Sequence, residues 1–418
     1  MKKIFYFLSF ALISCLSFTG CSSSKKTTNP ATEQETQNTS GSDSSDNAES
    51  NSPQPMQTQD ASASAEDNAN QAQDGTLPTE NNAHQTQNNT LLTEEPPTAT
   101  EAPQITEITI SAAGDCTFGS DQSSPGSVNF YSVYNQKKNN AYFFQKVKKI
   151  FAKDDLTLVN LEGTLTTRGV RMDKTYAFRG DPSYVNILKE GSVEAVSFAN
   201  NHCKDYGEIS YTDTISVLKS AKIKYSSFEK VSIFKAKEKN IGMIAVNGLS
   251  GTDYSKNLIK SGIKKLEKKK ADLIIVSIHA GIEHTSTIND VQTQLAHYAV
   301  QKGANLVLGH HPHTLQGIEK YKGAYIVYSL ANFCFGGNTN PSDKDTMIFQ
   351  QTFTFKGDKL KKDNNVRIIP CRVSSTTAIN NYQPVPLKGK SKQQIIQNMN
   401  GFNKPFGIHF QKNGKVQN

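Results

Sequence analysis

Beyond residue 104 the chain alternates between two hydrophobic periods. Short apolar runs of strand length, closed by Gly, Asp, Asn or His, are separated by segments with apolar positions three and four apart. The first run, Glu107–Asp115, ends on a Gly-Asp turn. Helical spacing follows over Tyr142–Lys153, then a strand over Leu156–Gly163. Pro182 and Gly191 bracket a short helix, and Val193–His202 reads as a strand ending in polar residues. A helix over Ser210–Ala221 leads to "VSIFKAKE" and "NIGMIAVNG", which pattern as a hairpin. A Lys-rich helix precedes strand Ala271–Gly281, helix Val291–Lys302 precedes strand "ANLVLGHH", and Ala324–Phe333 is one further strand. "TMIFQQTFTF" and "NNVRIIPCRV" pattern as antiparallel partners. This order predicts one α/β domain over residues 105–390, its sheets covered by helices, followed by a C-terminal tail at 391–418.

The first hundred residues follow different rules. Lys2 and Lys3 precede an apolar run, Ile4 to Phe18, too short to span a bilayer comfortably. The following Phe18-Thr19-Gly20-Cys21 is similar to a lipobox, so residues 1–20 are expected to be a lipoprotein signal, with the lipid on Cys21 at the extracytoplasmic face of the cell membrane. Ordinary secretion and a signal anchor are the alternatives. Residues 21–104 are rich in Ser, Thr, Asn, Gln and acids, lack aromatics, and cannot bury enough apolar surface to offset the entropy of ordering. They read as a disordered stalk. With a net charge of +8 and an acidic stalk, roughly +17 remains for residues 105–418. Anionic lipid, wall or capsule polymers are the neighbours this charge favours; nucleic acid does not fit an exported chain. Much of the charge, such as "KKLEKKK", also fits the solvated face of a helix.

Candidate chemistry gathers at the C-terminal ends of the predicted strands, the edge where α/β sheets build ligand sites. Asp115 follows Gly114. Asn160 and Glu162, two apart, share a face. Asn200-Asn201-His202 is followed by Asp205, and His279 by Glu283. His310-His311-Pro312-His313 closes the fifth strand and Asn332 lies on the sixth. Taken singly, these could be a turn, a strand edge, a helix cap or a core histidine. Together, carboxylate, amide and imidazole groups suit a divalent metal. Cys116, Cys203, Cys334 and Cys371 show no CxxC spacing, and both disulfides and small buried residues remain open for them.

"AAGD", "VNLEGTLT", "FRGDP", "FANNHCKDYG", "IHAGIEH", "GHHPHTLQ" and "YSLANFCFGG" resemble the motif series of the CapA family, the poly-gamma-glutamate capsule synthesis proteins. The resemblance runs from Ile108 to Gly337 and implies a calcineurin-like metallophosphoesterase fold, a two-sheet β-sandwich flanked by helices. It implies one or two divalent ions (Mn, Fe or Zn) on Asp115, Glu162, Asn201, His279, His311 and His313. His202 and Asp115 would be catalytic, and Arg179 and Asn160 would meet substrate; an ion pair of Arg179 with Asp181 or Asp173 is the other reading of that residue. His310 and Glu283 would orient ligands. The superfamily's first block is Asp-x-His, whereas Cys116 and Thr117 follow Asp115 here, and the second block carries Asn160 and Glu162 in place of Asp. Within the family, Ala280 replaces a common aromatic, His284 a common Tyr and Ala331 a common Gly. The implied role is synthesis or export of poly-gamma-glutamate or a related anionic polymer, with membrane synthase subunits as partners. A metal-dependent hydrolase of a wall phosphoester or amide, and a non-catalytic polymer-binding lipoprotein, are the alternatives.

Overall fold

A computed structural model describes residues 103–123, 128–361 and 365–417; the signal, Cys21 and most of the stalk lie outside the described residues. Strand β1 (Ile105–Thr117) is followed by β2 (Ser120–Asp121) and by helices α1 (Phe130–Lys137), α2 (Ala141–Phe144) and α3 (Lys148–Phe151). The single helix expected over Tyr142–Lys153 is therefore interrupted. Its buried positions Phe143, Phe144, Val147 and Phe151 nevertheless keep helical spacing across the break. Next come β3 (Leu156–Leu161), β4 (Thr164–Leu165), β5 (Phe178–Gly180), α4 (Val185–Glu190), β6 (Ala195–Ser197), α5 (Glu208–Ser220) and β7 (Lys224–Ser226). The hairpin β8 (Ser232–Ala236) and β9 (Lys239–Asn247) leads to α6 (Thr252–Lys268), β10 (Leu273–His279), α7 (Asp290–Lys302) and β11 (Leu306–His310). The chain finishes with β12 (Ile318–Tyr321), β13 (Ala324–Val327), β14 (Asn332–Phe335), β15 (Asp345–Lys356), β16 (Lys359–Leu360), β17 (Val366–Arg372), β18 (Val385–Pro386) and α8 (Gly389–Asn403).

These strands form two large sheets and a small one. The first runs β18-β17-β15-β1-β3-β6-β7, with β14 beside β1 and β16 beside β15; the second runs β12-β13-β11-β10-β9-β8; the third is β2-β5-β4. Parallel pairing dominates where strand and helix alternate, β1-β3-β6-β7 and β9-β10-β11-β13. Antiparallel pairing takes over in β15-β17, as the late strand-rich pattern indicated. Ile110, Leu156 and Leu158 of the first sheet share one hydrophobic cluster with Ile241, Met243, Ile275 and Leu308 of the second. α6 and α7 bury Leu258, Ile259, Leu295 and Ala299 against Val276 and Ile278 of the second sheet. The aromatic residues of α1 to α3, with Ile187, Leu188 and Leu218, cover Val159 and Val196 of the first. The result is an α/β fold of mixed sheets with flanking helices.

Three further expectations change. The strand expected at Ala324–Phe333 is two strands in different sheets: β13 pairs with β11, and β14 crosses to pair with β1. A continuous strand cannot change sheets without a bend, and Ala331 makes it at φ 61°. The strand expected to reach His202 ends at Ser197, so Asn200–His202 sit on a turn. The segment expected as a tail is integral, because Ile395, Ile396 and Met399 of α8, with Phe410 and Val416, fill the shared core. Each such fully buried side chain contributes about 1.5–3 kcal/mol of hydrophobic stabilisation. Cys116, Cys203, Cys334 and Cys371 are free and buried.

Candidate metal centre

Strand register brings the motif blocks together. Asp115 lies opposite Asn160 across β1 and β3, and His279 opposite His310 across β10 and β11. The crossover from β13 to β14 passes directly over both strand ends. A Cβ on Gly114 would lie 1.8 Å from the Ala331 carbonyl oxygen, and one on Gly309 would lie 2.0 Å from that of Tyr328. The glycine before each ligand block is therefore required by backbone approach. Beyond them His311 (φ 98°) and His313 (φ 57°) hold left-handed backbone. That conformation costs about 1–3 kcal/mol at each residue and persists only where the surroundings over-determine it.

Two buried carboxylates face this cluster. Asp115 Oδ1 accepts from Asn160 Nδ2 at 2.9 Å, and Oδ2 accepts from the His311 amide at 3.3 Å. His310 Nδ1 stands 3.3 Å from Oδ1, and His313 Nδ1 3.2 Å from Oδ2. Burial alone would raise the Asp115 pKa; the His310 and His313 rings reverse this and hold it well below the usual carboxylate range. Glu162 is the opposite case. It is fully buried, and neither oxygen has a hydrogen-bond partner. Its Oε1 lies 3.8 Å from Nε2 of each of His202, His279 and His313. Burial, then the negative charge of Asp115, push its pKa well above the usual value.

The imidazoles differ as well. His279 Nε2 pairs with Asn201 Oδ1 at 2.8 Å, and burial holds its pKa well below normal. Burial and then the neighbouring His313 push His311 down to about 4. Burial opposes protonation of His313, but Glu162 and Asp115 outweigh it and lift the ring to about 9. His313 Nδ1 also pairs with Asn332 Oδ1 at 2.8 Å. Asp115, Glu162 and His279 offer ligand atoms all within 4.8 Å of one another, and so do Glu283, His311 and His313. Glu283, expected only to orient a ligand, thus stands among the possible ligands.

His202 is held at the lip of the site. Its Nδ1 is 2.7 Å from Asp205 Oδ2, and its ring packs 4.4 Å from that of Phe178. Lys174 Nζ donates to Asp205 Oδ1 at 2.8 Å and to the Asn201 carbonyl at 2.9 Å. Burial, only partly offset by Asp205, lowers the His202 pKa. A cleft of about 320 Å³ opens above, lined by His202, His313, Glu283, Tyr176, Phe178 and Phe335 among others.

Two sequence expectations are not met by this geometry. Asn160 is fully buried, and its amide is shared among Asp115, His279, Ser197 and Asn200, so it braces the floor instead of meeting substrate. Arg179 stacks 4.2 Å over the Tyr206 ring and donates to Gln122; it does not line the cleft. Neither Asp181 nor Asp173 is its ion-pair partner. Lys174 escaped the sequence reading, because nothing in "DKTYAF" shows that it folds back on the Asn201–Asp205 turn.

Buried, unpaired carboxylate oxygens are costly unless a cation or proton satisfies them. Glu162, surrounded by imidazole nitrogens, is therefore the observation that fits a divalent ion, and the carboxylate–imidazole–amide set is one such ions accept. Fold and site together define an α/β protein with two side-chain clusters that could hold a divalent ion. Residues 109–337 match the family described as bacterial capsule synthesis protein PGA_cap, and the chain belongs to that family. It is 28% identical over 283 residues to the PGA biosynthesis protein CapA of Bacillus subtilis (strain 168), covering 62% of this chain and 70% of that protein. It is 30% identical over 222 residues to the capsule biosynthesis protein CapA of Bacillus anthracis, covering 46% and 54%. A crystal structure of a hypothetical protein from Thermus thermophilus aligns with TM-score 0.39 and 14% identity, covering 63% of this chain and 99% of that one.

Proposed function

We propose that the chain is a lipid-anchored protein of the extracytoplasmic face of the cell membrane that acts in the synthesis or export of poly-gamma-glutamate or a related anionic surface polymer. Its site is of the calcineurin-like metallophosphoesterase type. The carrying observation is Glu162, buried without a partner and 3.8 Å from three imidazole nitrogens. Asp115, Glu162, Asn201, His279, His311 and His313 would hold the metal, with Glu283 completing the outer group. A bound divalent ion supplies Lewis acidity and lowers the pKa of its water towards neutrality. The chain's own residues supply the rest. Asp205 fixes the Nδ1 side of His202, leaving Nε2 to give or take a proton at the cleft. Lys174 holds Asp205 in place. Phe178 and Phe335 line the cleft and pack against the His202 and His313 rings.

The His202–Asp205 pair favours a second reading, turnover of a phosphoester or amide in a wall polymer. One experiment addresses both. The purified full chain is assayed for bound metal, then for release of the alcohol from phosphodiesters and of glutamate from gamma-glutamyl chains, beside His311→Ala and His202→Ala. Expected are stoichiometric metal lost in His311→Ala, and metal retained without turnover in His202→Ala. A chain that takes up no divalent metal at neutral pH would sink the metal-dependent reading.

A further inference from the structure

Away from the metal cleft, a groove of about 620 Å³ is lined by Lys219, Lys222, Lys224, Lys230 and Lys269, over Tyr225, Val231 and Ile233. No carboxylate lines it, and none of its residues lines the metal cleft. The five lysines arrive from separate places: the end of α5, the turn after it, β7, the turn before β8 and the end of α6. A solvated helix face does not explain such convergence. Among the described residues none of the five has an acidic partner, whereas Lys204, Lys235, Lys237 and Lys239 each pair with one. Lys219 and Lys269 sit at helix C-termini, where the helix dipole accounts for a positive charge. Lys222, just past the end of α5, shares that account, whereas Lys224 and Lys230 lie outside any helix end, so the convergence brings together charges that no single helix dipole gathers. The bordering strands β7 and β8 are terminal in their sheets, so each has one flank without a strand partner and has amide groups to offer. The Ser232 hydroxyl in the groove wall is buried without a partner.

We propose that this groove binds an anionic polymer whose chain carries both carboxylates and amides, as a docking site distinct from the metal centre. It rests on the reading that the protein handles such a polymer. Lysines meet the carboxylates, the strand flanks without a neighbouring strand meet the amides, and the floor of Tyr225, Val231 and Ile233 takes the methylene segments. The amides are what set this ligand apart from a phosphate polymer, to which lysines alone would respond.

The test is fluorescence anisotropy of the full chain with labelled poly-gamma-glutamate, with polyphosphate as comparator, across a salt series. The groove variant is Lys222→Gln, Lys224→Gln, Lys230→Gln. The control removes three exposed lysines of α6: Lys260→Gln, Lys264→Gln, Lys268→Gln. The groove variant should lose about tenfold or more in affinity, and its log–log salt slope should fall by about 2–3, as expected when three cationic contacts are removed. The control should bind as the parent does, and polyphosphate should bind more weakly. Equal losses in groove and control variants, or equal binding of polyphosphate, would overturn the assignment in favour of plain ion exchange. Loss in His311→Ala alone would place the polymer at the metal cleft and overturn the separate site while leaving the proposed function standing. Unaltered metal content and melting temperature in the groove variant separate a docking defect from misfolding.

Discussion

Two donor groups, one at the cleft and one beneath it, are built in different ways. The inner one, Asp115, Glu162 and His279, lies at or just beyond strand ends and is closed to solvent. The outer one, Glu283, His311 and His313, lies on loops, holds two histidines at positive φ and ends in an exposed glutamate. Sheet register positions the inner donors. Strained backbone, held down by the β13–β14 crossover, positions the outer ones. Within the inner group the two carboxylates also differ. Asp115 is a hub with amide and imidazole neighbours, while Glu162 is enclosed and alone. Damage should therefore have unlike consequences: loss of stability at Asp115, loss of metal at Glu162 and altered affinity at Glu283.

The largest effect is expected for Asp115→Ala, which strips Asn160 and the His311 amide of their acceptor and leaves the His310 and His313 rings without the carboxylate beside them. Removing one partner from a buried charged network costs about 3–5 kcal/mol, so denaturant unfolding should show the variant markedly destabilised even without metal. Glu162→Gln should separate the two carboxylates. It deletes an uncompensated buried charge, so the metal-stripped variant should melt at or above the parent while the melting shift on adding metal disappears. The sign with pH follows from the raised Glu162 pKa. Its contribution to the metal-free fold is present below the unfolded carboxylate pKa and is lost as pH rises through the folded value, so the advantage of Glu162→Gln should grow with pH. A variant destabilised at every pH would contradict the description of Glu162 as unpaired.

Glu283→Gln tests the outer group. Metal affinity should fall by about tenfold, measured by chelator competition, with metal-free stability unchanged within about 0.5 kcal/mol. The smallest effect is on the crossover. Left-handed backbone costs a non-glycine residue about 1–2 kcal/mol, and glycine returns about half of that through unfolded-state entropy. Ala331→Gly, which places a glycine at φ 61°, should therefore stabilise the chain by about 0.5 kcal/mol, read from denaturant midpoints.

The strand ends at Asp115, His279 and His310 were legible because local pattern carries them. An apolar run closed by Gly-Asp or Gly-His-His is decided by neighbours in sequence, and parallel register then makes one edge of the ends. The alternation of strand and helix likewise follows from periodicity. What stayed hidden depended on residues far apart. Nothing near Asn160 reveals that Ser197, Asn200 and His279 would occupy its amide. Arg179 looked free to bind substrate until Tyr206 came over it. The α8 segment looked like a tail because only the two sheets together make the surface that Ile396 and Met399 fill.

The sequence by itself determined most element types, the basic charge of the folded part and the blocks of candidate donors, since composition, period and short motifs are local properties. Only the tertiary structure decided that one apolar run would serve two sheets, that Gly114 and Gly309 would pass beneath its carbonyls, and that Lys174 would close the Asp205 turn. It also decided which carboxylate is satisfied and which is not, because burial and partnership are set by the whole packing and not by any stretch of chain.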